Sequence, residues 1–217
     1  MCGIFLLIMK KFLIIVEGEA DKKFIKDYYH HLFKMSAPKN SIIHTGDLSG
    51  DTGGYKKLAS EINLQQMRMN SDQGGVNLVI FDADSDYQVR WEELSSLKGQ
   101  YGVEFELFLF PNNQDAGALE DLLENIINPN NRPILDCWEN YEEELRKLEI
   151  PGRTPPPLTT PAKKTKIYGY LEALLLKHEK EKIKDKKRDY KNPLHWDLDA
   201  EYLERLEEFI GGNLIWE

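Results

Sequence analysis

Asp82, Asp84 and Asp86 stand at alternate positions directly after the apolar run Val76–Phe81. Carboxylates this close along one chain repel each other unless a cation or a proton sits among them. Their hard oxygens suit Mg²⁺, Mn²⁺ or Ca²⁺. Glu17 is the second signal. It follows the apolar run Phe12–Val16, and Gly18 lets the backbone turn closely behind it. Each residue also has a plainer reading. An aspartate at a helix start caps free N–H groups and meets the helix dipole, and a glutamate after a strand is often only a solvated loop residue. A calcium loop fits less well. Counted from Asp82, positions 1, 3 and 5 are aspartate and position 12 is Glu93, but Tyr87 stands at position 6, where an EF-hand requires glycine.

The elements that must position these residues read as alternating strands and helices. Phe12–Val16 is short, apolar and β-branched, as in a strand buried on both faces. Apolar spacing then predicts a helix from Asp21 to Met35. Ser41–Thr45 is a second strand candidate, Tyr55–Arg68 a helix, Val76–Phe81 the third strand, Gln88–Leu97 a helix and Glu104–Phe110 the fourth strand. This order argues for an α/β fold with a Rossmann-like parallel sheet of about four strands, right-handed crossovers and flanking helices. Sites in such sheets lie beyond the carboxyl ends of the strands. Glu17, the glycine loop 46–54, the aspartates and Pro111-Asn112-Asn113 all fall there.

The remainder reads as a mainly helical C-terminal extension, with helices expected at Ala118–Ile127, Ile134–Leu148, Lys163 to about Lys184, and Ala200–Ile210, the last stopped by Gly211-Gly212. Trp196, Phe209 and Trp216 are expected as core contacts of this part. Five prolines in residues 151–161 mark an extended segment. The organisation is therefore residues 10–128 as the α/β domain and residues 129–217 as the helical region, packed on the same domain or forming a lobe of its own. Residues 1–9 read as an extension or a misassigned start, because Met9 before Lys10-Lys11 resembles a natural beginning.

Composition narrows the classes. The 217 residues are 41% hydrophobic and 30% charged, which is globular and excludes a mostly disordered chain or a coiled coil. Cys2 and Cys137 cannot build a disulfide framework or a cysteine-rich zinc site, and the five histidines show no ligand spacing, so a reduced cytoplasmic protein is expected. No apolar run approaches the ~20 residues of a membrane span. The net charge of −9 is unevenly spread: residues 1–150 carry −10, residues 151–191 carry +7 and residues 192–217 carry −6. An acidic chain with one basic stretch is not a generic polyanion binder, but that stretch can engage phosphates locally.

A strand ending in Glu-Gly, and a later strand ending in Asp-x-Asp within an alternating β/α pattern, resemble the Toprim domain. This fold is shared by topoisomerases, bacterial primases and nucleases of the overcoming-lysogenization-defect family. The stretches carrying the resemblance are Ile14–Ile25, Leu78–Asp86, and Phe110-Pro111 followed by Gly117–Leu123; they cover about residues 10–125. They are most similar to small stand-alone bacterial Toprim-related proteins.

The resemblance implies Mg²⁺- or Mn²⁺-dependent phosphodiester chemistry, most directly nuclease hydrolysis of DNA or RNA in defence or repair. It implies Glu17 as a metal ligand or general acid/base, Asp82 and Asp84 as the metal-holding pair, Asp86 as its extension, Asp21 as a helper one helical turn after Glu17, and Glu120 as support for a second cation. It also implies a transition-state lysine, for which Lys163, Lys164 and Lys166 are available after the proline segment; a solvated helix start is their plainer reading. The same fold also serves as a partner for a separate ATPase protein, as a metal-binding regulatory module, or on a small phosphorylated ligand. A topoisomerase is not expected from a short chain without a tyrosine-bearing cleavage domain, nor a primase without a zinc domain.

Two further features have weaker signals. The loop 46–54 lacks the Gly-Lys-Ser/Thr ending of a nucleotide-binding P-loop. Gly53 and Gly54 at a helix start, with Lys56 and Lys57, could still offer N–H groups and charge to a phosphate. His44 ends a strand candidate at the same edge, where a packed or capping histidine is the plain reading. Lys177–Lys191 is dense in charge of both signs and reads as a solvated helix.

Overall fold

The computed structural model describes residues 9–50, 52–152 and 158–215. Four parallel strands form one sheet: β1 (Phe12–Val16), β2 (Ile42–His44), β3 (Val76–Asp82) and β4 (Glu106–Phe110), in the spatial order β2-β1-β3-β4. In register, Ile14 lies opposite Ile42 on one side and Leu78 on the other, and Asp82 lies opposite Phe110. The chain moves outward from β1 to β2, then returns past β1 to β3. The switch in direction therefore falls between β1 and β3, where the carboxyl ends of adjacent strands leave a crevice.

Both sheet faces are covered, which is why the strands read as continuous apolar runs. Ile14, Val16, Leu78, Ile80, Phe108 and Phe110 face one core; Leu13, Ile15, Val79, Phe81, Leu107 and Leu109 face the other. Burying each such side chain contributes about 1.5–3 kcal/mol. On the first face lie α1 (Glu19–Phe33), α4 (Leu119–Asn125), α5 (Arg132–Lys147), α6 (Lys163–Leu174) and α7 (Glu204–Leu214). On the second lie α2 (Glu61–Asp72) and α3 (Tyr87–Tyr101). Tyr170, Trp196, Phe209 and Leu214 share the first core with β1 and β3, so the C-terminal helices pack on the sheet itself. Among the described residues, no helix is long and apolar enough to cross a membrane.

Three elements differ from the sequence reading, each for a local reason. The helix expected over Tyr55–Arg68 is a 3₁₀ turn, Tyr55–Ala59, followed by α2 running on to Asp72. Ser60 is extended between them, and Asn63 Nδ2 donates to Lys57 O at 2.8 Å and Thr45 O at 2.9 Å, tying the turn to the end of β2. The helix expected to reach Lys184 stops at Leu174; extended Leu175 redirects the chain into two 3₁₀ turns, Lys177–Ile183 and Asp185–Lys187. Gly211-Gly212 does not end α7. Neither glycine adopts a left-handed conformation, and the helix continues until Leu214 is buried. Trp216, residues 1–8 of the expected extension, and residues 153–157 of the proline segment lie outside the described residues.

The first and last described residues meet at one corner. Lys10 N donates to Leu214 O at 2.8 Å, and Met9 forms an antiparallel bridge with Ile215.

Candidate active site

The pleat of β3 decides which aspartate enters the crevice. Leu78, Ile80 and Asp82 alternate onto the face covered by α1 and α4. Asp21 and Glu120 lie in the first turns of those two helices, and Glu17 follows β1 directly. These four carboxylates line one cleft of about 280 Å³ at the carboxyl ends of the strands, together with Gly53, Gly54, Lys164 and Asp185. Two of them also have structural bonds. Asp21 Oδ2 accepts from Gly18 N at 2.7 Å, closing the first turn of α1, and Asp82 Oδ1 accepts from Leu119 N at 2.9 Å.

The electrostatics are those of an undercompensated acidic cluster. Burial, and then the charges of Asp21, Glu17 and Glu120, push Asp82 up to about 9. Burial, and then Glu17 and Glu120, push Asp21 up to about 7, against the Gly18 hydrogen bond. Burial and Asp84 also raise Glu17, while Arg90 and backbone amides oppose the shift. Glu17 Oε2 is buried without a hydrogen-bond partner. A buried acceptor of this kind is costly unless something fills it. The donor set is all oxygen, the chemistry a hard divalent cation takes.

The other two aspartates point elsewhere. Asp84 has φ +54°, a left-handed conformation that aspartate tolerates, fixed by its N–H donating to Gly117 O at 2.8 Å. Its half-exposed side chain pairs with Arg90, which also holds Glu93 at 2.9 Å and stacks 3.7 Å from the centre of the Tyr55 ring. Asp86 caps α3, accepting from Val89 N at 3.0 Å. Asp86→Ala is therefore expected to cost about 1 kcal/mol of stability through the lost cap and to leave metal affinity unchanged. Urea unfolding with and without Mg²⁺ checks both; a lost metal response would place Asp86 in the site.

The lysines also separate. Lys163 pairs with Asp121. Lys166 is buried, 2.8 Å from Glu124 and 3.6 Å from Glu139. Lys164 alone of the three lines the cleft, and its Nζ donates to Asp185 Oδ2 at 2.7 Å. Burial works against the Lys164 charge, but the hydrogen bond and charge of Asp185 outweigh it and hold its pKa above the usual lysine value.

The glycine loop forms the opposite wall. A Cβ on Gly53 would sit 2.0 Å from Glu17 O, so only glycine lets the loop approach the Glu17 backbone this closely. The Gly54 N–H is already used, donating to Glu17 O at 3.1 Å and Thr45 Oγ1 at 3.0 Å, and so is not directed at the cleft. Lys56 lies over the Tyr55 ring, 5.8 Å from its centre, rather than in the cleft.

A second group of potential ligands, Glu19, His44 and Asp47, lies beside the cleft. His44 Nδ1 accepts from Gly46 N at 3.0 Å, which leaves Nε2 as the protonated nitrogen of the neutral ring. Nε2 faces Glu19 and Asp47, each at 3.1 Å, and Lys22 reaches Asp47 at 2.8 Å. A metal would need the Nε2 lone pair that this arrangement removes, so the group is a hydrogen-bonded ion network.

Sequence reasoning missed Arg90, Asp185 and the stacking Tyr55. Arg90 had a readable signal, since a cap at Asp86 places it one turn into α3, facing back toward Asp84. Asp185 had none, because it meets Lys164 only through the turn of the chain after Leu174.

The profile of the family described as "Protein of unknown function (DUF3226)" matches residues 11–210. No curated protein and no solved structure matches the chain.

Proposed function

We propose that this chain, which belongs to the DUF3226 family, performs metal-dependent phosphodiester chemistry of Toprim type, with hydrolysis of nucleic acid as its reaction. The observation that carries this reading is the cleft itself. Glu17, Asp21, Asp82 and Glu120 converge there from two strand ends and two helix starts, with a partnerless buried oxygen on Glu17. Asp82, Glu17 and Glu120 would hold Mg²⁺ or Mn²⁺, and Asp21 would contribute the oxygen not bonded to Gly18. When bound, the ion supplies charge neutralisation at a non-bridging phosphate oxygen and lowers the pKa of a coordinated water.

The chain's own groups supply the rest. Glu17 keeps one buried oxygen without a hydrogen-bond partner, and where that oxygen does not hold the ion it would accept a proton from the attacking water. The Lys164 ammonium faces the developing negative charge of the pentacovalent phosphorus, and Asp185 keeps it charged and in place. Of Lys163, Lys164 and Lys166, the three lysines expected to be available for this role, Lys164 is supported by its place at the cleft. The Gly53–Gly54 wall brings uncharged backbone against the site and keeps Glu17 oriented.

A second reading, favoured by the modest volume of the cleft, is an enzyme for a small phosphorylated ligand or a metal-binding module that serves a separate ATPase. One experiment separates these readings. Single-stranded, duplex and supercoiled nucleic acids are incubated with Mg²⁺ or Mn²⁺ and either wild type or the Asp82→Ala/Asp84→Ala variant. Metal-dependent cleavage that disappears in the variant is expected. Metal binding by calorimetry without cleavage of any polymer would transfer the reading to the small-ligand or partner role.

A further inference from the structure

The basic part of this acidic chain is folded against the mouth of the cleft. Residues 177–191 contain eight lysines and arginines against four acidic residues. Within them the turn Asp185–Lys187 packs on α1, Asp185 lines the cleft, and Lys186 Nζ lies 4.0 Å from Glu19 Oε2 at its edge. A solvated charge run would need no fixed position, yet this segment is anchored. Arg188 is buried, donating to Tyr190 Oη at 2.9 Å and, through Nη2, to Ile183 O and Asp185 Oδ1, both at 3.2 Å. Tyr190 is fully buried, and its N–H donates to Asp27 Oδ2 of α1 at 3.0 Å.

The anchor turns the lysines outward. The side chains of Lys184, Lys186 and Lys187 are 66%, 75% and 60% exposed. Lys184 and Lys187 share the single carboxylate of Glu181, which leaves excess positive charge on this surface.

We propose that this anchored basic segment is the surface that receives the substrate, a single-stranded nucleic acid. The strand runs along residues 177–191 with its phosphates against the lysines, and delivers one phosphodiester to Lys164 and the carboxylates. A single strand fits because a cleft of about 280 Å³ accepts one nucleotide unit at a time rather than a paired duplex. The segment also supplies the attraction that the rest of the acidic chain lacks, and focuses it at the site. The chemical outcome rests on the hydrolase reading; the binding surface is tested separately from it.

The test is fluorescence anisotropy of a labelled single-stranded oligonucleotide over a KCl series, with Ca²⁺ present, on wild type and on Lys184→Gln/Lys186→Gln/Lys187→Gln. Hydrolysis of bis(p-nitrophenyl) phosphate with Mn²⁺ is followed in parallel, and thermal melts confirm that the variant is folded. The variant is expected to bind about tenfold or more weakly, with its log–log salt slope reduced by about 2, because each phosphate contact on a single strand contributes about 0.7. Its rate on the small diester should not change, because these lysines lie outside the cleft. Equal affinity and slope in the two proteins, or no binding by wild type, overturns the surface. If binding responds as expected but neither substrate is hydrolysed, the surface stands and the hydrolase reading fails. If the small diester is hydrolysed while binding does not respond, the reverse holds.

Discussion

Asp82→Asn is expected to lower metal-dependent cleavage by about 10³-fold or more and to raise the stability of the metal-free protein at the same time. The two effects share one cause. Asp82 lies at the end of β3, facing Asp21, Glu17 and Glu120, and gives up its proton only against burial and three like charges. As a metal ligand it would supply several kcal/mol of charge stabilisation in the transition state, and three decades in rate correspond to about 4 kcal/mol. Without metal, the same carboxylate is a cost. Asparagine keeps an oxygen to accept from Leu119 N, needs no proton uptake on folding, and should stabilise the apo fold by roughly 1–3 kcal/mol. Asp84→Asn should behave differently. It breaks the pair with Arg90 on the outer side of the turn and should reduce cleavage by about tenfold or less. Urea unfolding without metal, paired with initial rates in Mn²⁺, tests both variants. An Asp84 effect equal to that of Asp82 would mean that metal binding pulls Asp84 away from Arg90 and into the cleft.

The second large effect is on pH. The folded-state pKa values of Asp21 and Asp82 lie above the ordinary aspartate value, at about 7 and about 9. The metal-free folded state therefore binds more protons than the unfolded chain above about pH 4. The stability these groups contribute is fully present below the unfolded pKa, and it falls as pH rises through 7 and then 9, by up to about 1.4 kcal/mol per pH unit for each group. A divalent cation takes the deprotonated form, so its affinity must run the other way. Between pH 6 and pH 8 it should rise by about 10²–10³-fold, with the two carboxyls releasing protons as a pair. Calorimetry in buffers of different ionisation enthalpy counts those protons. A metal affinity flat across this range would show that the ion does not bind at Asp21 and Asp82.

The sheet was legible because both of its faces are buried. Phe12–Val16 and Val76–Phe81 are apolar runs, and their ends place Glu17 and Asp82 at one edge from the sequence alone. The fate of Asp84 was not legible. An alternating pattern suggests that Asp82, Asp84 and Asp86 act together, but the strand ends at Asp82 and the left-handed turn at Asp84 sends its side chain the other way. The choice among Lys163, Lys164 and Lys166 was hidden for a different reason. Successive helical positions differ by about 100° in direction, so the answer depends on which face of α6 docks. Trp138 makes that face visible only in three dimensions, because it packs where a Cβ on Gly169 would stand 2.5 Å from its ring. The basic segment was readable as charge but not as place; burial of Arg188 and Tyr190 fixes it beside α1.

The bridge between Met9 and Ile215 has a consequence for how the fold can be joined to other polypeptides. Both residues of that bridge sit at the amino edge of the sheet, while the cleft opens at the carboxyl edge. The five residues of β1 span about 17 Å between the two edges. The first and last described residues therefore meet at a single corner, on the far side from the carboxylates. The domain is built like a lamp on one stem: a partner held at that corner would leave the lit end open.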